Sequence, residues 1–296
     1  MKKPVFQGAG VAIITPMNPD GSINFAELGR IIDDQIAHHT DAIVICGTTG
    51  ESATMSEEEH LACIRFAVDH TAGRIPVVAG AGSNDTAFAL SISKAAEEAG
   101  ADALLLVTPY YNKTSQAGLL AHYTAIASAV KLPCIIYNVP SRTGVNVAPA
   151  TLAQLAKLPN INAVKEASGN ISQIAEIAAL CGDELNIYSG NDDQIVPLLA
   201  LGGKGVISVL SNVAPQQTHD ICALWFAGKV KESLALQLES LPLCHALFAD
   251  VNPIPVKWAM NRLGWDAGAC RLPLVAPDLA LQQRLETELK HFGVLK

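Results

Sequence analysis

What this chain lacks narrows its chemistry before any motif is considered. Only 5% of its 296 residues are aromatic and 16% are charged. No apolar segment approaches the roughly 20 residues that span a bilayer. The apolar stretch behind Lys2 and Lys3, residues 11–14, is too short for a signal-peptide core. No run of basic residues interrupts a formal charge of −8, which argues against nucleic acid or an anionic membrane as the main partner. The seven cysteines (46, 63, 134, 181, 222, 244 and 270) are odd in number and widely spaced, with no C-x-x-C pair. They predict neither a disulfide framework nor a zinc site and read as reduced, buried thiols. None of the eight histidines stands in H-x-H or H-E-x-x-H spacing, so no metal is expected. The nearest approach to a dinucleotide fingerprint is Gly80-Ala81-Gly82-Ser83-Asn84-Asp85, where aspartate replaces the last glycine. A soluble, cytoplasmic protein that works without a cofactor is the expectation.

What is present is a large apolar inventory in a regular order. Half of the residues are hydrophobic, enough for a sizeable core. Eight short, nearly continuous apolar runs read as strands: residues 10–15, 42–46, 76–79, 103–107, 133–137, 163–165, 186–189 and 205–209. Little two-residue alternation breaks them, as expected of strands covered on both faces. Amphipathic helices separate them. Ser56 and Glu59 form a capping box ahead of Leu61, Ile64 and Val68. A helix from Asp85 stops before Gly100, and another opens at Pro149. Gly202-Gly203-Lys204-Gly205 follows a helix and precedes a strand, so it reads as a turn rather than a phosphate loop. Eight such strands alternating with helices predict a (β/α)8 barrel over residues 1–225. Residues 226–296 would form a C-terminal helical extension; from 214 onward roughly three helical stretches are broken at Gly228, at Asn252-Pro253-Ile254-Pro255 and around Pro273.

In a barrel of this kind, catalytic groups sit at the C-terminal ends of the strands. Lys165 occupies such a place in the sixth run. A buried lysine costs several kcal/mol unless paired or neutral, and an amine there is pushed toward the neutral nucleophile that attacks carbonyls. The structural alternative is a strand-end lysine that reaches water or an ion pair. Glu166, its neighbour, points to the opposite face and needs a partner of its own. After the second strand, Gly47-Thr48-Thr49-Gly50-Glu51 offers hydroxyls and backbone N–H groups to a small anion, or is simply a tight turn. Tyr110 and Tyr111 follow the fourth strand and Tyr137 ends the fifth; a held phenol shuttles protons, although buried or interfacial packing explains any one of them. Arg142 suits a carboxylate, or is a solvated loop residue. After the seventh strand comes Ser189-Gly190-Asn191-Asp192-Asp193, whose adjacent acids diverge and read as a helix N-terminal cap. One lysine with hydroxyls, tyrosines and an arginine suits imine chemistry on a small α-keto acid.

These segments, together with Gly205-Val206-Ile207-Ser208-Val209 and Asn252-Pro253-Ile254-Pro255-Val256-Lys257, resemble the pyruvate-dependent class I aldolase and synthase family over essentially the whole chain. Ser141-Arg142-Thr143-Gly144 stands complete, as in the synthase branch; a lyase or aldolase for another keto acid, such as N-acetylneuraminate, is the alternative. The resemblance implies condensation of pyruvate with aspartate-4-semialdehyde on the route to diaminopimelate and lysine. By it, Lys165 forms a Schiff base and Tyr137, Thr48 and Tyr111 relay protons, Tyr111 coming from a neighbouring subunit. Thr49 would hold the pyruvate carboxylate, Ile207 and Gly190 would line the pocket, and Arg142 would meet the second substrate. A homotetramer, or at least a dimer, follows. Ser52, Ala53, His60, Asn84 and Tyr110 match an allosteric lysine pocket, but Glu57 and Phe88 stand where lysine-sensitive relatives carry histidine and glutamate. Weak or absent lysine inhibition is therefore expected.

Overall fold

The computed structural model describes residues 2–296. The eight expected strands are β1 (Gly8–Ala12), β2 (Ala42–Ile45), β3 (Val77–Gly80), β4 (Ala103–Val107), β5 (Cys134–Asn138), β6 (Ile161–Glu166), β7 (Asn186–Ser189) and β8 (Gly205–Ser208). They run parallel in sequence order and close into a barrel, with β8 pairing back onto β1. This is the (β/α)8 fold. Helices follow the strands at Phe25–Ala37, Glu57–Thr71, Thr86–Glu98, Gln116–Ala129, Pro149–Leu155, Ile171–Cys181, Ile195–Ala200 and Pro215–Phe226. Three more, Val230–Leu247, Ile254–Arg262 and Leu279–His291, complete the chain. Residues 214–296 thus hold four helices rather than three, with breaks at Gly228, at Asn252-Pro253 and before Leu279.

The local signals act where the sequence puts them. Ser56 accepts from the Glu59 N–H while the Glu59 carboxylate accepts from the Ser56 N–H, and Asp85 caps its helix through the Ala87 N–H. Strand ends differ by up to three residues. β1 was expected at 10–15 and starts earlier, because Gly8 and Gly205 bring two backbones together where a β-carbon on Gly205 would lie 1.8 Å from the Gly8 carbonyl oxygen. It stops earlier because the Ile14 N–H turns to the Asn212 side chain at 3.0 Å.

Alternation along the strands sorts the core into two layers. Ala42, Val44, Val78, Ala103, Leu105, Ile135, Ala163 and Ile207 fill the barrel interior, while Ile43, Ile45, Leu104, Leu106, Ile136 and Val164 pack outward under the helices. Small interior residues suit the confined space of an eight-stranded barrel. Phe6 stacks on Tyr188 with centroids 4.4 Å apart, and the Tyr188 hydroxyl donates to the Phe6 carbonyl. Ala163, Ala167, Tyr137 and Val139 share the interior layer. Lys165 has the parity of Ala163 and Ala167 and so points inward. All seven cysteines are unpaired and six are buried. Among the described residues, no helix is long and apolar enough to cross a membrane.

Candidate active site

β5 and β6 pair with Tyr137 opposite Lys165, and β6 and β7 with Lys165 opposite Tyr188. Register therefore sets the two central groups side by side. Lys165 is 5% exposed, and its ammonium nitrogen lies 4.2 Å from the centroid of the Tyr137 ring. Burial pushes the Lys165 amine down from 10.5 to about 7; the Asp192 carboxylate pulls it back up and the Arg142 guanidinium adds to the fall. Burial also raises the Tyr137 phenol, opposed by Arg142 and by a hydrogen bond with Thr48. Glu166 finds the partners its outward position needs: Asn138 Nδ2 and the Ser168 N–H, at 2.9 and 2.8 Å. Its carboxyl is nonetheless raised, chiefly by burial.

Gly190 closes over the lysine. Its N–H donates to the Glu166 carbonyl at 2.8 Å, and a β-carbon there would come within 2.6 Å of Ala167 Cβ and 3.1 Å of Lys165 Cε. Only glycine leaves the amine approachable from that side. Asp192 does not cap its own helix, as the sequence suggested. It is buried, and its Oδ2 accepts the N–H groups of Val209 and Leu210 at the end of β8, at 3.0 and 2.9 Å. The acid reaches 17 residues along the chain to pin the neighbouring loop, a contact that helix-cap statistics do not anticipate.

The Gly47–Glu51 segment is a tight turn between two left-handed residues, Cys46 at φ +56° and Glu51 at φ +57°. The N–H groups of Gly50 and Glu51 donate back to Gly47 and Thr48, so only the Thr48–Thr49 end is left for an anion. Thr48 is exposed. Thr49 is buried, and its Oγ1 accepts from Asn252 Nδ2 at 2.9 Å. Ile207 lies in β8 opposite Gly10, buried in the interior layer.

A cavity of about 420 Å³ opens beside these groups. Thr48, Tyr137 and Arg142 line it, and so do Ser52, Ala53, His60, Phe88 and Tyr110. His60 is buried with its Nε2 donating to the Gly80 carbonyl at 2.7 Å, and burial lowers its pKa. Asn84 does not line this space; its carbonyl accepts from Asn112. Glu57 does not line it either; it is exposed, and its Oε1 accepts from the Ser91 hydroxyl. Tyr111 is 91% exposed at φ +67° and joins none of the other site groups within the chain. Among the described residues, no group of three or more metal-binding side chains converges.

One buried pair was missed by sequence reasoning as a site feature. Lys257 Nζ meets Glu51 Oε1 at 2.6 Å, both side chains 1% exposed. The signal was available: Lys257 is a lone lysine in an apolar stretch, the same pattern that singled out Lys165.

Comparison with known proteins finds relatives over nearly the whole chain. The model of the dihydrodipicolinate synthetase family matches residues 5–292. A 4-hydroxy-tetrahydrodipicolinate synthase of Caldicellulosiruptor saccharolyticus is 55% identical over 291 residues, covering 98% of both chains. Among solved structures, the dihydrodipicolinate synthase of Thermotoga maritima superposes with a TM-score of 0.96 at 41% identity, covering 98% of this chain and 100% of that one. The Acinetobacter baumannii dihydrodipicolinate synthase, complexed with pyruvate, gives a TM-score of 0.96 at 41% identity, with 98% and 99% covered.

Proposed function

The chain belongs to the dihydrodipicolinate synthetase family, and on that footing we propose that it condenses pyruvate with L-aspartate-4-semialdehyde through a lysine Schiff base, giving 4-hydroxy-tetrahydrodipicolinate. The observation that carries this is Lys165, a buried amine held near neutrality beside Tyr137 and beneath Gly190. Its neutral nitrogen adds to C2 of pyruvate, and the carbinolamine loses water to an iminium. Loss of a C3 proton gives the enamine, whose carbon attacks the aldehyde of the second substrate. That substrate's own amine then displaces Lys165 from C2, closing the ring and freeing the lysine. One water is released per condensation.

Tyr137 carries protons to and from the carbinolamine oxygen and passes them to Thr48. Thr49 holds the pyruvate carboxylate, with Gly190 and the backbone at Ile207 lining the pocket. Arg142, on the rim of the cavity, meets the carboxylate of the second substrate. Tyr111 completes the relay from a neighbouring copy; its exposure and its outward, left-handed backbone support this. The active form is then at least a dimer and, in our reading, a tetramer built from two dimers. The unpaired cysteines support a reducing, cytoplasmic setting.

Borohydride treatment with pyruvate followed by peptide mass mapping tests the central step. A pyruvyl adduct on the Lys165 peptide is expected, and its absence would remove the mechanism. Activity with aspartate semialdehyde but not with N-acetylneuraminate is expected in a coupled assay.

A further inference from the structure

The Gly47–Glu51 turn, which carries Thr48 and Thr49, is not held by the barrel alone. Glu51 stands in left-handed backbone, uncommon for a residue with a β-carbon. Its carboxylate is buried and fully engaged: Oε1 accepts from Lys257 Nζ at 2.6 Å, and Oε2 accepts the Arg271 N–H at 2.9 Å. The same ammonium donates to the Ala269 carbonyl at 2.9 Å. Two residues before Glu51, Thr49 Oγ1 takes its hydrogen bond from buried Asn252. The three contacts made to Glu51 and Thr49 come from partners 203 to 220 residues away in sequence. Neither Glu51, Asn252 nor Lys257 lines the cavity.

Holding the segment against the barrel does not require charge. Burying two charges costs more than most pairs return, and apolar residues of similar size hold as well or better. What a buried ion pair adds is direction, since a carboxylate shared between two donors tolerates one placement only. We propose that the Glu51–Lys257 pair, with the Asn252–Thr49 hydrogen bond, fixes the Thr48 and Thr49 hydroxyls for the reaction, so that Lys257 and Asn252 are positioning residues. The inference rests on the roles proposed above for Thr48 and Thr49.

The test compares wild type, K257M, E51Q/K257M and N252A, each by melting temperature, by rate of borohydride trapping with pyruvate and by steady-state kinetics. K257M strands a buried carboxylate and loses both stability and activity. E51Q/K257M is neutral and keeps an oxygen for the Arg271 N–H. It regains most of the melting temperature, while kcat stays on the order of 100-fold low, as for a roughly 1 Å misplacement remote from the chemistry. N252A leaves the ion pair in place and raises KM for pyruvate about tenfold, the worth of one well-placed hydrogen bond, with little change in kcat. An E51Q/K257M enzyme with wild-type melting temperature, kcat and trapping rate overturns the inference. If neither Lys257 variant folds, N252A decides, and an unchanged KM for pyruvate overturns it. A wild-type enzyme that does not trap pyruvate refutes instead the function on which the inference stands.

Discussion

Replacing Lys165 with methionine should abolish the pyruvate adduct and make the protein more stable. In the unfolded chain the amine keeps its proton up to 10.5; in the folded protein it gives it up at about 7. Below about 7 both states are protonated, and the folded state carries the full cost of a buried ammonium. Between the two values the unfolded state binds more protons, so stability rises with pH; above 10.5 both are neutral and the cost is gone. At about 1.4 kcal/mol for each tenfold change in the ionisation equilibrium, the difference is roughly 5 kcal/mol. The Tyr137 ring face returns about 1–2 kcal/mol of this to the charged form, which does not reverse the sign. Methionine keeps the stem's volume without the charge. At roughly 2–4 °C per kcal/mol, its lead at pH 6 should be on the order of 10 °C. Melting curves from pH 6 to pH 10, at one protein concentration because assembly couples to stability, should show that lead shrinking as the pH rises. A methionine variant no more stable than wild type at pH 6, or a lead that ignores pH, would refute the buried-ammonium account. The same ionisation governs catalysis. An ordinary lysine is neutral in about one molecule in 3,000 at pH 7, whereas Lys165 is neutral in about half. The rate of pyruvate trapping should therefore climb through an acid limb near pH 7.

Other perturbations bear on single groups. Gly190→Ala puts a methyl 2.6 Å from Ala167 Cβ and 3.1 Å from Lys165 Cε; trapping of pyruvate should slow by at least about tenfold, and an unchanged rate would show that the amine is approached from elsewhere. Arg142→Met should raise KM for aspartate semialdehyde by about 10–100-fold, the worth of a charge-assisted hydrogen bond, with a much smaller change for pyruvate; equal effects on both substrates would contradict its placement. L-Lysine should inhibit weakly or not at all, because Phe88 offers no carboxylate to the effector's ammonium. Strong inhibition at sub-millimolar concentration would show that other groups in the cavity supply that charge.

The fold was legible because strands covered on both faces leave a coarse signal, eight apolar runs in a fixed alternation. Their ends were less so. β1 begins where two glycine backbones meet and ends where the Asn212 side chain takes the Ile14 N–H, and neither event leaves an apolar mark. The position of Lys165 on its strand could be read, but its inward direction could not. A single lysine fits either parity, and Ala163 and Ala167 decide it only once the interior layer is known. Asp192 does not act as the cap the sequence suggests because its partners lie in the segment just after β8 rather than in its own helix. The Asn252–Thr49 contact had no local signature at all. Motif order in the sequence brought these segments to attention; only the folded chain shows which of them touch.

The two buried lysines make the sharpest contrast in the molecule. Both sit in apolar stretches and both are buried. Lys257 is given a carboxylate at 2.6 Å and a backbone carbonyl at 2.9 Å, so its charge is compensated. Lys165 is given the face of an aromatic ring at 4.2 Å, with Asp192 acting on it without forming an ion pair within 4.0 Å among the described residues. A close carboxylate at Lys165 would hold the proton and quench the nucleophile; removing the carboxylate from Lys257 would leave a buried charge unanswered. The same side chain thus becomes a brace or a nucleophile according to whether the fold supplies or withholds one anion at contact distance. Moving an acid to contact distance of Lys165 should therefore silence the enzyme without unfolding it.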